Sequence, residues 1–194
     1  MPVNAGLTQD ELAAHAKGFG LRFDDYVDYE EPIRIRLEDY AQLVAWCDPY
    51  MQRRFEVQGA VTFHFELDGV PNDERYNGVH IERVYVMGGN SDSFRTTCKL
   101  DGEDMLRQIQ ADYPEMSAFM SNRVGWWHLH PGYYSSLSVG DVEECRQTLR
   151  DVGAMDTKVL HLLMYGDLRG GYQLSGYFIG LEEVDRLPVR LVKA

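Results

Sequence analysis

Residues 126–145 read WWHLHPGYYSSLSVGDVEEC, and here the chain changes its structural period. The stretch begins inside a strand signal, VGWWHLH (124–130), rich in β-formers. Pro131, which has no N–H to give to a ladder, ends that strand. After a polar loop, SVGDVEECRQTLRD (138–151) reads as a helix. Downstream, KVLHLLMYGD and GGYQLSGYFIG read as two strands joined by a glycine-rich turn. Upstream, GEDMLRQIQAD (102–112) reads as a helix and VHIERVYVM (79–87) as a strand. EVQGAVTFHFEL is β-rich and ends at the Asp68-Gly69 turn signal. DYAQLVAWCDPYM carries Tyr40, Leu43, Val44 and Cys47 at helical spacing, and IRIRL before it alternates as a half-exposed strand does. Strands and helices alternate while several strand pairs resemble hairpins. The expected fold class is therefore α/β, a mixed sheet with helices packed on it.

The chain has 194 residues, enough for one sizeable core and too few for two full domains. Residues 1–32 read as an N-terminal extension, with a short helix over 8–18 and an acidic, aromatic connection over 22–32. That connection is a solvated linker, a binding arm or a segment packed at a sheet edge. Residues 33–194 form the domain. Hydrophobic residues make up 44% and charged residues 26%, which excludes wholesale disorder. No apolar run approaches the ~20 residues that span a bilayer. The start, MPVNAGLTQDELAAHAK, lacks the basic and apolar blocks of a signal peptide. Cys47, Cys98 and Cys145 form no CxxC pair and no disulfide framework, which fits a reducing, cytoplasmic compartment. A net charge of -12 repels duplex nucleic acid, so neither a nucleic-acid nor a membrane partner is expected.

The chemistry concentrates in the opening stretch. His128 and His130 are two apart, and on a strand that spacing puts both imidazoles on one face. Ser138 opens the following helix and Asp141 lies one turn inside it. Two imidazoles and a carboxylate make a three-ligand zinc site with a fourth position for water, whose pKa zinc lowers towards ~7. Such a site hydrolyses without a covalent nucleophile. It also wants a general base, and the candidate is Glu56 at the head of EVQGAVTF. Burial at a strand edge raises a carboxyl pKa towards a useful value. On chemistry alone Glu66 and Glu82 compete with it. Ser138 is suited to donate a hydrogen bond to a developing oxyanion. Ser-x-x-Asp at a helix start is also, by itself, a capping box.

The pattern H-x-H-P, six residues, S-x-x-D resembles the JAMM (MPN+) signature at every fixed position. At equal residue frequencies, five fixed positions recur in a chain this long about once in ten thousand sequences. GWWHLHPGYYSSLS further resembles the eukaryotic deubiquitinase members, and FEVQG resembles the segment that holds their catalytic glutamate. The resemblance covers roughly residues 33–180. It implies the MPN fold, a curved mixed sheet flanked by helices, and a zinc metallopeptidase. Such enzymes cut after the C-terminal glycine of ubiquitin or a ubiquitin-like modifier. By the same resemblance His128, His130 and Asp141 hold zinc, Glu56 is the general acid/base and Ser138 supports the oxyanion. Gly88–Thr97 and Arg150–Lys158 stand where the family cradles the modifier tail. Leu129 departs from the Ser or Thr usual between the histidines, and residues 1–32 match nothing in the core pattern. The length fits a compact prokaryotic member.

Blander readings stand beside these. His64, His80 and His161 each lie in a strand, where a lone histidine is usually a hydrogen-bonded core or surface residue. Cys145, one turn beyond Asp141, is a spare ligand or a buried thiol on the helix's inner face. Tyr133 and Tyr134 line a substrate channel or shield the loop. Of Trp126 and Trp127, one faces the core and the other borders the site. No HxE is followed by PCxxC, which excludes a deaminase-type zinc site. Two other functions compete with the isopeptidase: a non-catalytic MPN scaffold, and a JAMM amidase acting on small substrates. The oligomeric state is left open.

Overall fold

Each alternating segment becomes a strand, and the strands assemble on both sides of WWHLHP. The computed structural model describes residues 26–28, 33–67, 76–86, 92–93, 98–99, 102–114, 123–132, 134–151, 158–167 and 171–193. The expected helix over 8–18, and most of Gly88–Thr97 and Arg150–Lys158, lie outside the described residues. The strands are β1 (Tyr26–Asp28), β2 (Ile33–Arg36), β3 (Gln58–Leu67), β4 (Tyr76–Val86), β5 (Asp92–Ser93), β6 (Cys98–Lys99), β7 (Val124–Pro131), β8 (Val159–Asp167), β9 (Gly171–Ile179), β10 (Val184–Leu187) and β11 (Val189–Val192). The described helices are α1 (Leu37–Arg53), α2 (Gly102–Asp112) and α3 (Val139–Asp151). None of them is long and apolar enough to cross a membrane.

Nine strands form one sheet in the order β1-β10-β9-β8-β7-β3-β4-β2-β11, with β5 and β6 paired apart. The sheet is mixed. β7 runs parallel to β8 and antiparallel to β3, and β2 runs parallel to both β4 and β11. Strands β10 and β11 sit near opposite ends of this order, yet only Pro188 separates them along the chain. One residue reaches about 3.5 Å. The eight strands from β10 to β11 must therefore curl until their edges adjoin, which makes a nearly closed, barrel-like sheet. Two contacts fit that closure. Ile33 N–H donates to Pro188 O at 2.8 Å. A Cβ added to Gly176 on β9 would lie 2.0 Å from Cδ1 of Ile33 on β2, although the two strands are far apart in the hydrogen-bonded order. The mixed α/β architecture read from the sequence is thus present.

Residues 181–194 carry no strand expectation, yet they form β10 and β11. Each is four residues long, they flank a proline, and they contain Asp185, Arg186 and Arg190. Only pairing with β9 and β2 makes them strands. Tyr26–Asp28, inside the acidic connection, pairs with β10 as an edge strand.

The sheet has two buried faces. One packs on α1 through Leu43, Cys47 and Met51, at helical spacing, against Phe63, Trp127, Leu129, Leu160 and Phe178. The other packs on α3 through Val142, Cys145 and Leu149, against Val159, Leu163, Tyr165 and Tyr177. Met105 and Ile109 of α2 cover Ala60 and Tyr85 beside it.

Candidate metal centre

Period two on β7 sorts its side chains. Trp127 and Leu129 enter the α1-side core and are fully buried. Trp126 packs where the α2 and α3 clusters meet. The Trp127 indole N–H donates to Tyr85 O at 2.8 Å. A Cβ on Gly59 would lie 2.0 Å from that carbonyl and 2.5 Å from Trp127 Nε1, so FEVQG needs its glycine for close approach.

His128 and His130 leave the strand on the α3 side, both buried. Their Nε2 atoms are 2.9 Å apart. Asp141 Oδ2 lies 3.7 Å from His128 Nε2 and 3.5 Å from His130 Nε2. A tetrahedral ion at 2.0–2.1 Å from each donor sets its donors about 3.3 Å apart, a value the three distances bracket. The group His128, His130 and Asp141 can therefore hold a metal ion, and it is the one such group among the described residues.

The start of α3 positions Asp141. Ser138 N–H donates to Asp141 Oδ2 at 2.6 Å, and Asp141 N–H donates to Ser138 Oγ at 3.2 Å. This is the reciprocal capping box, formed in full. Capping and ligation, which compete for Asp141 on the sequence, coincide here because one carboxylate oxygen accepts from the backbone and faces both imidazoles. Burial raises the Asp141 pKa, but the bond to His130 and the nearness of His128 outweigh it and hold the carboxylate ionised, well below its usual range. Burial, with His161 beside it, pushes His128 well below the ordinary imidazole value and keeps it neutral, as a ligand must be.

Glu56 follows the turn that ends α1, where Arg54 adopts a left-handed conformation and Phe55 N–H donates to Tyr50 O. In the β3–β7 register Gln58 stands opposite His128. Leu129 N–H donates to Val57 O at 2.8 Å, so the pairing continues and Glu56 comes opposite His130. Burial raises its pKa to about 7, with His130 lowering it and Asp141 raising it. Of its two competitors, Glu82 is engaged by His64 and Tyr113, and the Glu66 side chain lies outside the described residues.

The reading of a hydrogen-bonded core or surface histidine holds for all three. His64 and His80 stack at 5.1 Å between ring centres. His161 is buried and hydrogen-bonded, and what the sequence did not show is its partners: its Nε2 lies 2.6 Å from His128 Nδ1 and its Nδ1 lies 3.2 Å from Cys145 Sγ. Cys145 is a buried thiol on the inner face of α3. The available signal was an inward-facing histidine in the apolar run VLHLLMY, with a cysteine one turn past Asp141. Tyr133 lies outside the described residues, and Tyr134 is exposed, its carbonyl accepting from His130 Nδ1 at 3.3 Å.

No protein-family model matches the chain, and no curated protein matches it. Among solved structures, the chain is similar to the solution structure of protein DSY2949 from Desulfitobacterium hafniense, with a TM-score of 0.56 at 17% identity. The alignment covers 84% of this chain and 94% of that one. At that identity the likeness is one of fold alone.

Proposed function

We propose that this chain is a zinc-dependent isopeptidase of the JAMM type, with the MPN fold, working in the cytoplasm. It cleaves after the C-terminal glycine of a ubiquitin-like modifier. One observation carries the reading: three convergent donors of metal-ligand spacing, with the Glu56 carboxyl, just ahead of β3, near enough to feel the charges of His130 and Asp141. Two neutral imidazole nitrogens and one carboxylate oxygen suit zinc. When bound, zinc supplies Lewis acidity and brings the pKa of a coordinated water near 7.

The chain's own groups carry the proton traffic. Glu56, ionised, takes a proton from the attacking water as its oxygen adds to the glycine carbonyl carbon. It then returns that proton to the departing amine as the C–N bond breaks, and the acid's remaining proton passes to the amine, so the products at neutral pH are a carboxylate and an ammonium ion. A carboxyl of pKa about 7 is matched to both halves of that exchange at neutral pH. Ser138 Oγ accepts from Asp141 N–H, which leaves its O–H proton to donate to the developing oxyanion. Asp141 stays ionised throughout, held by the α3 cap.

The test uses ubiquitin-like modifiers fused or conjugated through a C-terminal glycine. Zinc-loaded wild type cleaves at least one of them, and Glu56→Gln, with its zinc retained, cleaves none. If both proteins are inert across a broad panel, the reading falls. Turnover of small amides alone would move the substrate class.

A further inference from the structure

The two histidines at the centre differ in what lies behind them. His130 Nδ1 faces the Tyr134 carbonyl at 3.3 Å. A carbonyl only accepts, so His130 carries its proton on Nδ1 and presents a lone pair at Nε2. His128 has no such anchor. Its Nδ1 faces His161 Nε2 at 2.6 Å, and His161 Nδ1 faces Cys145 Sγ at 3.2 Å. Every atom in that chain can donate or accept, so its bonds can run in either direction. All three side chains are buried, at 4%, 7% and 3% exposure, which leaves little room for solvent to substitute for any of them.

Ligation requires one direction. When His128 Nε2 serves as a ligand it must be a lone pair. His128 Nδ1–H then donates to His161 Nε2, and His161 Nδ1–H donates to Cys145 Sγ.

We propose that His161, backed by Cys145, is a positioning residue that holds the His128 proton on Nδ1 and so presents the His128 Nε2 lone pair to the ion. This rests on reading His128, His130 and Asp141 as metal ligands.

The test is nitrogen-15 NMR of histidine tautomers in the zinc-loaded full chain, alongside zinc affinity by chelator competition. In wild type, the N–H of both His128 and His161 is expected on Nδ1. His161→Leu lowers zinc affinity about 10- to 100-fold, the usual effect of losing a ligand's hydrogen-bond partner. His161→Gln, whose amide can accept or donate, recovers most of it. Cys145→Ser stays near wild type, whereas Cys145→Ala shows a smaller loss than His161→Leu. Should His161→Leu not fold, the Cys145 pair decides. A His161 N–H found on Nε2 in the zinc-loaded chain, or Cys145→Ala and Cys145→Ser binding alike, overturns this role of His161 while the metal site stands. Wild type that takes up no zinc overturns both.

Discussion

The two faces of β7 are one residue apart in sequence and opposite in physical character. Trp127 and Leu129 enter an apolar core under α1, where the Trp127 indole N–H is matched by a backbone carbonyl. His128 and His130 enter an equally buried layer under α3, where apolar packing is joined by polar contacts linked one to the next. The α1 face stabilises the curled sheet by excluding water and needs no reactive group. The α3 face keeps imidazoles and an ionised carboxylate together out of bulk solvent, and hydrogen bonds must offset that burial. Stability and chemistry therefore answer to different side chains of the same strand.

Substitutions on the two faces should move different observables. Trp127→Ala leaves a large cavity and removes the indole bond to the Tyr85 carbonyl, and is expected to cost about 3–5 kcal/mol of unfolding free energy by urea titration. His130→Ala acts on the other observable. Structural zinc binding is worth ~10–16 kcal/mol in total, so losing one of three ligands should weaken zinc binding roughly 10³-fold by chelator competition. If Trp127→Ala weakens zinc binding as much as His130→Ala does, the division between the faces is wrong.

Acid should separate the faces next. Burial pushes His161 down from the ordinary imidazole value to about 4. Between pH ~6.5 and about 4 the unfolded chain binds a proton at this site that the folded chain refuses, so wild-type stability falls as pH falls. His161→Gln lacks this titration. The stability advantage of metal-free wild type over that variant should shrink by up to about 3 kcal/mol across the window, in urea titrations at each pH. An advantage that stays constant would mean that His161 is not buried neutral. Glu56, whose pKa is raised, gives the opposite slope in both proteins and cancels in the difference.

The smallest effect falls where the two roles meet. Ser138→Ala removes the acceptor for Asp141 N–H and should cost about 1 kcal/mol in thermal unfolding, as loss of a helix cap does. Its zinc should be retained, because Asp141 keeps the bond from the Ser138 backbone N–H. Loss of zinc in that variant would show that the Ser138 hydroxyl, rather than the backbone, holds the ligand.

Much of this was legible from the chain because local rules agreed with the fold. Alternation located β7 and its two faces, helical spacing located α1, and the serine and aspartate three apart marked the start of α3. Strands β10 and β11 were not legible, because four-residue segments with charges beside a proline have no period of their own. The role of His161 was hidden for a related reason. Its place in VLHLLMY tells its face and nothing of its neighbours. It meets His128 only because β8 lies parallel to β7, with Trp126 level with His161.

The order of residues alone decided which groups exist and which face of a strand or turn of a helix each occupies, since those follow from periods of two and 3.6 along a single backbone. The curled sheet decided who meets whom. It set α3 over β7, continued β3 to bring Glu56 opposite His130, and lined His161 and Cys145 up behind His128. Contacts between distant segments arise from pairing register and closure, which no local stretch of sequence encodes.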